Sequence, residues 1–152
     1  MFKDITTLLQ DSSAFNETID VFYNALKDKK LDAVVGIESR GFIFAAPLAL
    51  KLGCRFVLAR KPGKLPRKTL RQNYDLEYGT DGIEIHSDSI KTNDRVVIID
   101  DLLATGGTAQ ATGKIVNKLN GIIVYYAFLI SLKDLDGCKK LGEEKIFSIL
   151  DL

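Results

Sequence analysis

The run Val96–Thr108, "VVIIDDLLATGGT", decides how this chain reads. Four branched apolar residues in succession predict a strand covered on both faces. Two carboxylates, Asp100 and Asp101, end that run, and a Thr-Gly-Gly-Thr turn follows. Beyond the turn, Thr112, Ile115, Val116 and Leu119 fall at helical spacing. A strand–loop–helix unit leaves unpaired N–H groups at the helix start, where the helix dipole favours an anion. Gly106 and Gly107 permit positive φ and close approach of a ligand to the backbone. Thr105 and Thr108 add hydroxyl donors, so residues 104 to 108 form a candidate phosphate cradle. Asp100 and Asp101 accept hydrogen bonds, which suits sugar hydroxyls or a Mg²⁺ ion that also touches the ligand. A sugar phosphate satisfies both halves. The plainer reading is a solvated acidic turn beside a glycine cap; the strand-to-helix placement weighs against it.

Phe15, Ile19, Phe22 and Leu26 share one helical face, with Ser13 as the expected cap. "DAVVGI" (32–37) reads as a buried strand. "FIFAAPLALKL" then reads as a buried helix stopped by Gly53, with an irregularity expected at Pro47. "CRFVLA" (54–59) is the next strand. Residues 60 to 73, "RKPGKLPRKTLRQN", hold two of the three prolines among many Lys and Arg and read as a mobile basic loop. "YDLEY" and "GIEIH" alternate around "GTDG", a hairpin signature. "IIVYYAFLI" (122–130) and "KIFSIL" (145–150) complete the strands. Strands alternating with helices predict one α/β domain over residues 1 to 152, with a mostly parallel sheet flanked by helices and a mobile loop and hairpin at about 60–86. Open sheets of this kind bind ligands beyond the carboxyl ends of their strands, where "IIDD" and "GIESRG" both end.

The chain has 152 residues, 46% hydrophobic and 27% charged, with formal net charge +1. That balance gives no electrostatic case for nucleic-acid or membrane partners. No stretch approaches membrane-spanning length, and "MFKDITTLLQ" has no basic-then-apolar leader pattern. Cys54 and Cys138 lie in no metal-binding spacing and read as reduced thiols of a cytoplasmic protein. Other phosphate motifs fail: "GIESRGF" has Phe42 where a triphosphate loop needs Lys, and no GxGxxG occurs. Leu102 stands where a phosphoaspartate phosphatase would carry a second Asp.

"VVIIDDLLATGGT" resembles the phosphoribosyl pyrophosphate (PRPP) motif of the type I phosphoribosyltransferases, and "DDLLATGGT" is similar to the adenine-using branch of that family. "FKDITTLL", "GIESRGFIF", "RKPGKLP" and "YDLEYGTDGIEIH" agree, in order and over nearly the whole chain. The resemblance implies the type I fold with a flexible hairpin loop, and Mg²⁺-dependent transfer that converts adenine and PRPP to AMP and pyrophosphate. It implies that Asp100 and Asp101 hold the ribose hydroxyls and offset positive charge developing on the sugar, while Ala104, Thr105, Gly106, Gly107 and Thr108 hold the 5-phosphate. Ser39 and Arg40 match a pyrophosphate-contacting turn. Arg60, Lys61 and Lys64 match a basic segment that reaches pyrophosphate, partly across a homodimer interface. For Lys68 and Arg71 a solvated charge run is preferred. Glu77 matches the general acid/base of the closing loop, and Tyr78 a group near the ribose. Phe2, Lys3 and Leu132 match the adenine-facing strip. His86, the only histidine, is read as structural.

Family members carry a short segment before "FKDIT", whereas this sequence begins at Met1-Phe2, so a reduced hood over the base is expected. Adding that segment should lower the KM for adenine more than that for PRPP. Two other readings stand beside the main one: the same transfer to hypoxanthine, guanine, xanthine or orotate, and a non-catalytic PRPP or purine sensor. The sensor reading lacks residues for a DNA-binding domain and leaves Glu77 unexplained.

Overall fold

The structure is a computed structural model and describes residues 3–152. In chain order it contains α1 (Thr6–Gln10), α2 (Ser12–Leu26), β1 (Ala33–Ile37), α3 (Gly41–Leu52) and β2 (Arg55–Ala59). There follow β3 (Thr69–Asp75), β4 (Thr80–His86), β5 (Arg95–Leu103), α4 (Gly107–Lys118), β6 (Ile122–Ser131), α5 (Gly137–Leu141) and β7 (Ile146–Asp151). Five strands form one sheet in the order β2-β1-β5-β6-β7, parallel throughout, and β3 and β4 form a separate antiparallel hairpin.

Alternation along the central strands supplies both faces of the sheet. Val34, Val97, Ile99, Ala127 and Leu129 face Phe22, Leu26, Phe44 and Leu48 of α2 and α3. Val35, Ile37, Val96 and Ile98 face Ile115 and Val116 of α4, together with Ile83 and Ile85 of the hairpin. The sheet order reverses between β1 and β5, so the crevice beyond their carboxyl ends is the topological switch point.

Several expectations need correction. Asp11, not Ser13, caps α2: its extended backbone lets its carboxylate accept the Ala14 N–H at 3.0 Å, while Ser13 already lies in the first turn. α3 runs unbroken through Pro47, held by the buried Phe44, Ala45, Leu48 and Ala49 on either side of it. Gly53 ends it as expected, at φ +68°. β5 does not stop at Asp100 but continues to Leu103, because β6 keeps pairing with it: Asp100 opposes Phe128 and Leu103 opposes Ser131.

The hairpin differs most from the sequence reading. Its turn is residues 76–79, closed by Leu76 N–H donating to Gly79 O at 2.9 Å, and not "GTDG". Its first strand starts at Thr69, inside the expected loop, with Leu70, Gln72 and Tyr74 turned toward the protein and Arg71 and Asn73 toward solvent. Gln72 opposes Ile83 and Leu70 opposes Ile85, both isoleucines being fully buried against the core. The stem at 69–75 and 80–86 is therefore docked, and what stands clear is the tip.

Candidate active site

β1 and β5 are neighbours, so the turn after one and the last residues of the other share a rim. Glu38, Ser39 and Arg40 line a cleft of about 340 Å³ with Asp100, Asp101 and Leu102. Asp101 is 5% exposed, and a carboxylate so buried requires a partner. Arg40 supplies it, Nη2 to Oδ2 at 2.9 Å, while its Nη1 donates to the Lys3 carbonyl at 3.2 Å. One guanidinium thus joins the 38–40 turn, the Asp101 carboxylate and the Lys3 backbone.

Asp100 accepts the Asp101 N–H at 2.9 Å. Burial first, then the neighbouring Asp101 charge, push the Asp100 carboxyl well above the ordinary carboxylate range, and Arg40 only partly opposes this. Such a pair favours whatever brings positive charge or donors to it. Gly41 keeps α3 close: a Cβ there would lie 2.8 Å from the Ile99 carbonyl and 3.1 Å from Asp100 Oδ1.

A smaller pocket of about 110 Å³ adjoins this cleft, lined by Asp100, Leu102 to Ala109 and Phe128. Gly106 stands at φ +76° as the N-cap of α4, a backbone state that favours glycine, and directs the loop into the helix. The 104–108 segment runs into the start of this twelve-residue helix, whose first N–H groups have no partner within the helix. Behind the loop, α5 packs so tightly that a Cβ on Gly137 would lie 2.3 Å from the Ala104 carbonyl. Gly137 escaped sequence reading, since its "DG" looks like any surface turn.

The basic segment is tied down by Glu38, in the "ESRG" turn. Ile37 pairs with Ala59 in adjacent parallel strands, so Glu38 and Arg60 leave the sheet together. The Glu38 carboxylate accepts the Lys61 backbone N–H at 2.9 Å and pairs with Lys64 Nζ at 3.0 Å and Arg60 Nε at 3.5 Å. Burial works against its ionisation, yet these donors outweigh it and hold its carboxyl below the usual range. Arg60 also exchanges both backbone hydrogen bonds with Glu84 of β4. The Lys61 ammonium points elsewhere, to Asp81 and to the Tyr74 hydroxyl at 2.7 Å, both on the hairpin. Lys68 and Arg71 are exposed, in keeping with a solvated run. His86 sits at the hairpin base, its Nε2 accepting the Arg67 N–H at 3.3 Å.

Glu77 and Tyr78 occupy the exposed hairpin tip, Tyr78 at 87% exposure. Among the described residues, no hydrogen bond or ion pair joins either side chain to Asp100 or Asp101. Leu132 follows β6 directly, half-buried, its N–H donating to the Leu103 carbonyl at 2.9 Å. Phe2 lies outside the described residues. The structure therefore gathers Lys3, Ser39, Arg40, Asp100 and Asp101 on one rim with the 104–108 loop, and leaves Glu77 and Tyr78 apart from it.

Among the described residues no group of three or more His, Cys, Asp or Glu is arranged to hold a metal ion. Mg²⁺ commonly needs only one or two protein carboxylates when a substrate phosphate supplies the rest, and the Asp100–Asp101 pair fits that donor set. No helix among the described residues is long and apolar enough to cross a membrane.

Comparison with known proteins agrees with this geometry. Residues 4–147 match the model of the phosphoribosyl transferase domain. The adenine phosphoribosyltransferase of Anaeromyxobacter sp. is 51% identical over 150 residues, covering 99% of this chain and 85% of that protein. The crystal structure of the Thermoanaerobacter pseudethanolicus adenine phosphoribosyltransferase superposes with TM-score 0.96 at 52% identity, covering 99% of this chain and 88% of that one. The Saccharomyces cerevisiae adenine phosphoribosyltransferase, solved with an imino-altritol bisphosphate and adenine, gives TM-score 0.91 at 39% identity, covering 97% and 85%. On sequence and on fold alike, the chain belongs to the phosphoribosyltransferase family, among the adenine phosphoribosyltransferases.

Proposed function

We propose that the protein transfers the phosphoribosyl group of PRPP to adenine, giving AMP and pyrophosphate. The observation that carries this reading is the joining of the Asp100–Asp101 pair to the Ala104–Thr108 loop at the sheet's switch point, opposite Arg40. In this reading the loop backbone and α4 dipole take the 5-phosphate, and the two carboxylates take the ribose hydroxyls. Their charge offsets the positive charge that develops on the sugar as pyrophosphate departs. Ser39, Arg40, Arg60, Lys61 and Lys64 serve the pyrophosphate, with Arg40 offering a bidentate fork. Lys3 and Leu132 serve the base, as does Phe2 by the family resemblance. Glu77 exchanges the proton at the purine nitrogen, and Tyr78 packs near the ribose, once the tip folds over the cleft and excludes water.

Mg²⁺ would be held by Asp100 or Asp101, directly or through water, together with the substrate's own oxygens, and would screen the pyrophosphate charge. The active form is taken to be a homodimer. β2 is an edge strand with Phe56 37% exposed beside Phe42, an apolar surface next to the basic segment. A cytoplasmic location suits the two free thiols.

The test is pyrophosphate release from PRPP with Mg²⁺, run in parallel with adenine, hypoxanthine, guanine, xanthine and orotate. Release with adenine alone is the expected result. Release only with another base would keep the PRPP site and refute the adenine assignment. PRPP binding without release on any base would favour a sensor.

A further inference from the structure

Lys61 has its backbone in one place and its charge in another. Its N–H is fixed to Glu38, beside the Ser39–Arg40 turn, while its ammonium is paired with Asp81 and hydrogen-bonded to Tyr74 on the hairpin stem. Tyr74 and Asp81 are cross-strand partners, and the Tyr74 hydroxyl donates to the same Asp81 oxygen at 3.3 Å. The ammonium also lies over the Tyr74 ring, 5.4 Å from its centre. Tyr74 in turn borders the phosphate loop, since a Cβ on Gly107 would sit 3.5 Å from its ring.

We propose that Asp81 and Tyr74 form a latch that holds the Lys61 ammonium away from the pyrophosphate site, and that a diphosphate-bearing ligand binds by displacing Asp81 from Lys61. The proposal rests on the reading that Lys61 serves pyrophosphate. Three features support the exchange. The Lys61 and Asp81 side chains are 36% and 32% exposed, so their pair is of the weak, solvent-screened kind. A lysine carries a compact charge on a flexible stem, so the ammonium can swing while Glu38 keeps the backbone still. A diphosphate carries several negative charges against the single charge of Asp81. Burial draws the Lys61 ammonium down, but its bonds to Asp81 and Tyr74 raise it above the usual range, so it stays charged in the latched position. Asp81 is therefore a positioning residue, and the latch lowers apparent affinity by the fraction of molecules in which Lys61 is held.

The experiment is calorimetric titration of the full chain with magnesium pyrophosphate, alongside the KM for PRPP, in Asp81→Asn, Tyr74→Phe, Lys61→Ala and the Lys61→Ala/Asp81→Asn double variant. Asp81→Asn should tighten pyrophosphate about two- to fivefold and lower the KM for PRPP by the same factor. Asp81→Glu should restore the original values. Tyr74→Phe should shift both in the same direction by less, and serves as the decisive variant if Asp81→Asn does not fold. Lys61→Ala should weaken pyrophosphate, and adding Asp81→Asn to it should change nothing further. Unchanged or weaker binding in Asp81→Asn, with Lys61→Ala weakened, would overturn the latch alone. Full pyrophosphate affinity in Lys61→Ala would overturn the Lys61 assignment itself, and the latch with it.

Discussion

The end of β5 and the hairpin tip each carry acidic residues assigned to the reaction, yet the fold treats them in opposite ways. Asp101 is 5% exposed and paired with Arg40, and its neighbours are enclosed: Asp100 pairs with Phe128 of β6 and meets Gly41 of α3, and Leu103 meets Gly137 of α5. Residues 76–80 are all exposed and rest on a two-stranded stem. The first region is built before ligand arrives, and stability supports its geometry. The second is exposed on every residue, and in the proposed mechanism its geometry is supplied by the bound state. A transfer through a reactive sugar benefits from both, since a fixed cradle orients the ribose and a late-arriving tip excludes water.

Asp101→Asn removes the carboxylate charge paired with Arg40 and weakens the proposed ribose contact, so kcat/KM for PRPP should fall about 10²- to 10³-fold while circular dichroism stays unchanged. Near-normal turnover would remove Asp101 from its role. On the hairpin, Ile83→Ala opens a cavity in a fully buried site and should cost about 2–5 kcal/mol, read as a lower Tm. Leu76→Ala at the exposed tip should stay within about 0.5 kcal/mol. Equal losses would show that tip and stem are one rigid unit.

A smaller effect comes from Asp100. Its carboxyl titrates higher in the folded protein than in the unfolded chain, so the folded state holds the proton more tightly. Stability is then fullest below the unfolded value and declines as pH rises through the folded one. Asp100→Asn keeps the oxygen that accepts the Asp101 N–H and removes that loss. It should raise Tm at neutral pH by about 2–4 °C and flatten its pH dependence, while activity falls. A lower Tm in this variant would contradict the account of Asp100.

The cradle was readable in the sequence because each part has a local signature: four branched residues for the strand, paired carboxylates, then glycines where a strand meets a helix. The hairpin was half readable. Ile83 and Ile85 announced one strand, but Pro62, Pro66 and the Lys/Arg-rich surroundings disguised Thr69–Asp75 as loop, its alternation being only half-buried. Glu38, Asp81 and Gly137 were not readable, because their roles depend on which elements become neighbours. Glu38 meets Arg60 and Lys64 only because β1 lies beside β2, and Gly137 matters only because α5 backs the phosphate loop. The resemblance to a family supplied the roles of Glu77 and Tyr78, which exposed positions on a hairpin would not suggest.

The most direct measurement is PRPP binding by calorimetry beside steady-state turnover in Glu77→Gln. A preformed cradle with a separate, late-closing acid requires that PRPP bind within about twofold of the unaltered protein while kcat falls about 10²- to 10⁴-fold. If PRPP binding collapsed together with turnover, Glu77 would belong to the ribose-phosphate site, and the division between a built cradle and a moving tip would be wrong.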